Sequence, residues 1–85
     1  MRTIADKRGE GRTLANIGAA YYFDSQPKLS IQYLDQALAV FRETKDRFSE
    51  GHTLQSLSQA HQALGDSERA FRFNAEALGI SRSLQ

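Results

Sequence analysis

Two histidines, His52 and His61, are the residues of this chain best suited to bind a transition metal or to move a proton near neutral pH. They lie nine positions apart, which on an α-helix is a rotation of about 900° and places them on opposite faces. The sequence has no cysteine that could complete a metal site. We therefore predict no metal site, and we expect His52 to be exposed and His61 to pack in the core with one hydrogen bond.

The other chemically capable residues do not form a catalytic pattern. Gly9-Glu10-Gly11 follows no predicted strand and precedes no Lys-Ser/Thr pair, so it does not resemble a phosphate-binding loop. No serine stands in a Gly-x-Ser-x-Gly context. The carboxylates lie near basic residues and outside the apolar stripes, so the sequence does not suggest a general acid with a raised pKa. We expect no catalytic residue, no cofactor and no enzymatic activity.

Composition and charge argue against several further classes of protein. The chain has 85 residues, a net charge of +1 and no cysteine, which indicates one small domain without disulfides. Basic residues alternate with acidic ones, whereas nucleic-acid-binding proteins concentrate them on one face. No segment approaches the roughly 20 apolar residues that span a bilayer, and the first six residues lack the apolar core of a signal peptide. We expect a soluble, cytoplasmic protein without nucleic-acid or membrane partners.

The sequence repeats itself at a spacing of 40 residues. The segment DKRGEGRTL over residues 6–14 returns as DRFSEGHTL over residues 46–54, and the same offset pairs Ile17 with Leu57. Such a period is typical of solenoids, in which each unit buries its apolar face only against its neighbours. The function is therefore expected on a surface made by stacked units.

The period also divides the chain into parts. We interpret residues 1–85 as a single domain. Its three parts are a remnant of a preceding unit over 1–5, which aligns with 41–45, a first unit over 6–45 and a second unit over 46–85.

Apolar residues recur at spacings of three and four, as on the buried face of a helix, and no segment alternates with a period of two. Gly65 is expected to end a helix in the left-handed conformation, and Asp66 to cap the next one. Pro27 suits the first turn of a helix. The predicted helices lie near residues 5–23, 27–43, 47–63 and 67–83.

Small side chains recur beside the apolar stripes. They are expected where the two helices of each hairpin approach each other. This set comprises Gly18, Ala20, Ala37, Ser58, Ala60 and Ala77. Among the large residues, Leu38 and Phe41 are expected in the core, and Phe48 is expected to pack at the junction between the units.

These features resemble the tetratricopeptide repeat, whose signature has a large residue, Leu-Gly and Tyr on the first helix, then small and large apolar residues on the second. A period of 40 instead of about 34 is similar to the longer variety found in kinesin light chains and bacterial signalling proteins. The resemblance implies an all-α solenoid of two helix-turn-helix units in a right-handed superhelix. The signature positions hold Leu14, Ile17, Gly18, Tyr21, Ser30, Leu34 and Ala37, then Leu54, Leu57, Ser58, His61, Ala70, Asn74 and Ala77.

The resemblance further implies a binding surface, because the first helices of successive repeats line a concave face that receives peptides. Amide side chains there can both donate and accept hydrogen bonds, which suits a peptide backbone. Arg12 could pair with a carboxylate, and Tyr22 offers a flat apolar contact. The candidate residues are Arg12, Ala15, Asn16, Ala19, Tyr22, His52, Gln55, Ser56, Gln59 and Gln62.

Three functions remain open from the sequence. The first is an interaction module that binds a protein or peptide partner on the concave face. The second is a self-associating fragment of a longer array, with or without exchange of helices between copies. The third is the sensor segment of a larger regulator. The last helix bears on the second function. In one interpretation its apolar residues stay uncovered until another copy binds; in the other, Leu78 belongs to the core and the rest are scattered, exposed residues. The apolar residues concerned are Phe71, Leu78, Ile80 and Leu84.

Overall fold

The computed structural model describes residues 3–84, and within them the chain forms four α-helices and no strand. The helices are α1 (Ile4–Phe23), α2 (Pro27–Glu43), α3 (Arg47–Ala63) and α4 (Ser67–Ser83). The predicted all-α class is confirmed, and only the start of α1 differs from the predicted bounds. Met1 and Arg2 lie outside the described residues, so the assignment of residues 1–5 to a preceding unit stays a prediction.

Each helix begins at a residue suited to that position. Asp46 and Asp66 accept hydrogen bonds from the backbone N–H groups three residues further on, at 3.2 and 3.1 Å, as expected of N-caps. Pro27 occupies the first turn of α2. Thr3 and Asp6 form a reciprocal capping box at the start of α1, and this box is the reason that α1 begins earlier than its counterpart α3.

The three turns between helices share one conformation. Gly65 has a φ of 81°, as expected, and Ser25 and Lys45 each have a φ of 58°. In every turn the residue after the left-handed one donates a backbone hydrogen bond to the carbonyl five positions earlier, at 2.8 to 2.9 Å. This pattern is the Schellman motif. Because the same motif recurs every 20 residues, each helix meets the next in a similar way.

Successive helices pack against each other, and the packing bends the layer. The Cα atoms of α1 and α3 approach within 8 Å, whereas in residues 3–84 those of α2 and α4 do not. The first helices of the two units therefore converge while the second helices diverge. The surface formed by α1 and α3 is the inner, concave one. No helix in residues 3–84 has both the length and the apolar character that crossing a bilayer requires.

Gly18 marks the close approach within the first hairpin. A Cβ atom at this position would lie 2.8 Å from Cγ of Leu34 and 3.2 Å from the carbonyl oxygen of Ser30. In the second hairpin, Ser58 takes the place of Gly18, and its hydroxyl donates to the carbonyl of Ala70 at 2.7 Å. The expected role of small residues between paired helices is confirmed at both positions.

The core lies between α2, α3 and α4. Phe41 and Leu38 are buried, as expected. The core cluster consists of Leu34, Leu38, Leu54, Leu57, Ala60, Ala77 and Ile80.

Two expectations about packing, those for Phe48 and Ala20, are wrong, and the structure decides against the alternative that placed Leu78 in the core. Phe48 is 75% exposed, so its side chain is not packed at the junction between the units. Leu78 is 47% exposed and is not part of the core, whereas Ile80 is buried. Ala20 is exposed although its counterpart Ala60 is buried, because no helix of the described part of the chain covers that side of α1.

Glu50 also departs from the sequence interpretation, because it is a carboxylate buried at a helix interface, only 5% exposed. Its Oε2 accepts from Nε of Arg42 at 3.2 Å, and its Oε1 accepts from Nη1 of Arg47 at 3.3 Å. Nη2 of Arg42 also donates to Glu76 at 2.8 Å. The expected basic partners are present, and one guanidinium connects α2 to both α3 and α4.

Candidate binding groove

Two hollows lie between α1 and α3, with volumes of about 280 and 220 Å³. They share Ala19, Leu34, His52 and Ser56, so they join into one depression that we call the groove. The groove runs along the concave side, where the first helices of the two units converge.

The floor of the groove is apolar and comes from α2. Leu34 and Phe41 line it, although each is less than 5% exposed. Both side chains can reach so far between the helices because α1 carries glycine opposite them. A Cβ atom on Gly11 would lie 2.8 Å from the ring of Phe41, and one on Gly18 would meet Leu34 at the same distance. The two glycines thus position the floor.

Eight of the ten candidate residues line the groove. The wall from α1 and the wall from α3 face each other across the floor, and Ala15 adds to the first of them. The α1 wall has Arg12, Asn16, Ala19 and Tyr22, and the α3 wall has His52, Ser56 and Gln59.

The other two candidates, Gln55 and Gln62, lie outside the groove. Gln55 lines a hollow of about 140 Å³ between α3 and α4, and Gln62 lines another of about 240 Å³ beside Phe71. Both positions follow from the repeat. Their counterparts 40 residues earlier, Ala15 and Tyr22, face α3 of the following unit, whereas no following unit lies beside α3 in the described part of the chain.

The sequence interpretation missed two aromatic residues at the groove. Phe48 lines the first hollow and is 75% exposed, and Phe23 lines the second and is 84% exposed. Exposed aromatic rings beside a depression are typical of protein-interaction sites, where aromatic residues are enriched relative to the rest of the surface. The sequence did contain a signal for their exposure, because both phenylalanines lie next to predicted turns and outside the apolar stripes.

The groove has a one-sided charge distribution. Arg12 is the basic residue of its lining beside the imidazole of His52, and no carboxylate lies among the described lining residues. The hydroxyl of Ser30 lines the second hollow, is fully buried and has no hydrogen-bond partner among the described residues. The groove therefore offers the positive charge of Arg12 to a ligand and no negative charge that would repel a carboxylate.

His61 lies away from the groove, at the interface of α3 with α4. It is buried and stacks on Phe73 with ring centroids 5.2 Å apart, just as Tyr21 stacks on Tyr33 at 5.6 Å in the first unit. Its expected packing is confirmed. The expected hydrogen bond is not made by Nδ1, which has no partner among the described residues.

Asp35 on α2 is a carboxylate whose pKa departs from its ordinary value. Partial burial raises the pKa of Asp35, and the charge of His61 acts in the opposite direction. The sequence interpretation did not single out Asp35, and the expectation that the chain has no general acid of raised pKa stays a prediction. Asp35 is not among the residues that line the groove.

Comparison with known proteins agrees with the repeated architecture. A family model described as tetratricopeptide repeat matches residues 9–83, which include most of α1 and all of α2, α3 and α4. No curated protein and no solved structure matches the chain.

Proposed function

Since the chain belongs to the tetratricopeptide repeat family, we propose that it is an interaction module that holds a peptide segment of a partner protein in the groove. The repeats of this family are protein-interaction modules, which supports the binding of a protein partner. The position of the peptide between α1 and α3 is the specific part of the proposal. No catalytic role is part of this proposal.

The observation that carries the proposal is the continuous groove with an apolar floor and polar walls. Apolar side chains of the peptide would contact the floor at Leu34 and Phe41 and the exposed ring of Phe48 beside it, and burial of apolar surface is the main favourable term in such sites. Asn16 and Gln59 on opposite walls can donate to and accept from its backbone. Because the hollows hold only a few side chains, the affinity of a single chain is expected to be modest.

The charge of the lining adds a preference for acidic peptides. Arg12 can form paired hydrogen bonds with a carboxylate. No carboxylate in the described lining competes for it. We therefore expect ligands with an acidic residue next to an apolar or aromatic one, and weaker binding at high salt.

Peptide selection from a random display library, followed by calorimetric titration of the selected peptides, tests the proposal. Asn16→Ala removes a side chain of the groove wall and is expected to weaken binding by about tenfold, the effect of one hydrogen bond. Gln32→Ala is the matched control, because Gln32 is exposed on α2 outside the groove. Equal affinities of Asn16→Ala and the wild type would remove Asn16 from the site, and a similar loss in both variants would place the ligand elsewhere.

Self-association is the second candidate function, and the outer surface of α4 favours it. Phe71 and Leu78 lie seven residues apart, and therefore on the same side of α4, and they are 76% and 47% exposed. Apolar residues grouped on one helix face indicate a contact surface. A molar mass that rises with concentration would support this function, and a mass independent of concentration would contradict it.

A further inference from the structure

The side of α3 that packs on α2 has an almost identical copy on α1. On α3 this side is buried, since the residues concerned are at most 5% exposed, and Arg42 of α2 pairs with its Glu50. On α1 the corresponding residues are exposed or half-buried. Three of the four residue types are identical and the fourth exchanges leucine for isoleucine: Glu50, Thr53, Leu57 and Ala60 correspond to Glu10, Thr13, Ile17 and Ala20. We call these four residues of α1 the front face.

The opposite end of the molecule carries the complementary copy. Leu38 of α2 belongs to the same core cluster as Leu57 and Ala60 of α3, and Ile31 packs against that cluster. The corresponding residues of α4 have no such cover among the described residues, since Phe71 and Leu78 are largely exposed. We call the outer surface of α4 with Phe71, Asn74, Leu78 and Arg82 the back face.

We propose that the front face of one copy docks on the back face of a second copy, so that the chains stack head to tail. This inference rests on self-association, the second candidate function. The contact would reproduce between chains the packing of α3 on α2 within the chain. Because the two faces differ, each added copy leaves a new back face open, and the stack grows without closing.

The charges of the two faces are complementary. Within the chain, Nε of Arg42 lies 3.2 Å from Oε2 of Glu50. Arg82 lies 40 residues after Arg42, and Glu10 lies 40 residues before Glu50. In the stack, Arg82 of one copy would therefore face Glu10 of the next copy as Arg42 faces Glu50 within the chain. A mutual attraction of this kind selects the register of a contact more than it raises affinity.

Stacking would also extend the groove across copies. Gln55 and Gln62 lie outside the groove of a single chain. Their counterparts Ala15 and Tyr22 line it, with α3 as the opposite wall. In the stack, α1 of the next copy would take that place beside α3. A second groove would then form at the junction between two chains, with both glutamines in its wall.

The intermolecular contact should be weaker than its intramolecular counterpart. The back face carries Asn74 where α2 has the buried Leu34, and Ser81 follows where α2 has the buried Phe41. Less apolar area is therefore removed from water on docking. The stacks are expected to dissociate on dilution.

Two variants with one blocked face each test the direction of stacking. Ala20→Arg blocks the front face and Leu78→Arg blocks the back face. Both positions are exposed, and arginine is a good helix former, so the fold should persist. Thermal unfolding followed by circular dichroism checks this.

Sedimentation equilibrium then measures the mass of the wild type, of each variant and of an equimolar mixture. The wild type should exceed the mass of two chains at high concentration, and each variant alone should remain at 9.5 kDa. The mixture should form one-to-one dimers and nothing larger, because each partner retains the face that the other needs.

Three results would overturn the proposal or part of it. A monomeric wild type would contradict both self-association and stacking. Self-association that Ala20→Arg retains and Leu78→Arg loses would indicate a symmetric contact between back faces, which leaves self-association in place and overturns the head-to-tail direction. Growth of the mixture beyond the dimer would show that the faces are not blocked as proposed. Neither residue lines the groove, so peptide binding by the variants tests the first candidate function separately.

Discussion

At the scale of single residues, Gly18 decides how closely α1 and α2 can approach. Gly18→Ala would place a Cβ atom 2.8 Å from Leu34 and close to the backbone of Ser30, so we expect a loss of about 1–3 kcal/mol in the free energy of unfolding. Gly79→Ala is the control, since a Cβ atom there meets nothing within 4 Å, and the better helix former should add about 1 kcal/mol. Denaturant titration measures both; a Gly18→Ala variant as stable as Gly79→Ala would contradict the close contact.

Leu38 and Leu78 hold the same place in the two units but differ in burial, at 6% and 47% exposed. Leu38→Ala should lower the free energy of unfolding by about 2–5 kcal/mol, because it leaves a cavity in the core. Leu78→Ala should lower it far less when measured on dilute, monomeric protein. Equal losses in the two urea-unfolding curves would show that the outer side of α4 is covered in solution.

Asp35 gives the stability of the protein a dependence on pH. Partial burial raises the pKa of Asp35 in the folded protein, so the folded state binds this proton more tightly than the unfolded state. The favourable contribution of this group is complete below the ordinary carboxyl pKa and is lost as the pH rises through the raised pKa. As the pH rises from acidic to neutral, the Asp35→Asn variant should therefore become more stable relative to the wild type. A difference in melting temperature that is constant with pH would contradict the raised pKa.

The sequence predicted the residues whose neighbours lie in the same hairpin, such as Gly18, Phe41 and Asp66. It misplaced Phe48 and Ala20, and it left the burial of Leu78 undecided. Periodicity tells which side of a helix is apolar, but it does not tell which helix, if any, covers that side. Ala20 and Ala60 illustrate the limit, because the same residue at the same repeat position is exposed in one unit and fully buried in the other.

At the scale of the elements, the turns depend on one left-handed residue each. Lys45 has a φ of 58° and carries a Cβ atom, a conformation that costs about 1 kcal/mol or more in a residue other than glycine. Lys45→Gly should therefore raise the thermal stability, and Gly65→Ala, at a φ of 81°, should lower it. Scanning calorimetry of the pair tests this, and changes of the same sign in both variants would contradict a shared turn conformation.

The helices themselves were predictable because their ends carry local signals. Asp46, Asp66 and Pro27 mark three starts through side-chain capping or a fixed φ. The left-handed turns at Ser25 and Lys45 were not predictable in the same way, since neither residue is glycine. Their conformation follows from the packing of the flanking helices, which the local sequence does not specify.

At the scale of the whole molecule, the groove is a product of stacking. Its floor comes from α2, and its walls come from α1 and α3, which belong to different units. The resemblance to the repeat family named most of the residues that line the walls, but it did not name Phe23, and it also named Gln55 and Gln62, which lie outside the groove. The positions of these three residues depend on how one unit packs on the next, and the sequence of a single aligned unit does not specify that packing.

Amide chemical-shift mapping on isotope-labelled protein, during titration with a selected peptide, tests the central claim most directly. The largest shifts are expected at residues of both groove walls, such as Asn16 and Ser56, together with the floor around Leu34. The outer surface of α2 around Gln32 should stay unchanged. Shifts confined to α4 around Phe71, with none at the groove walls, would contradict the proposal that the peptide binds between α1 and α3.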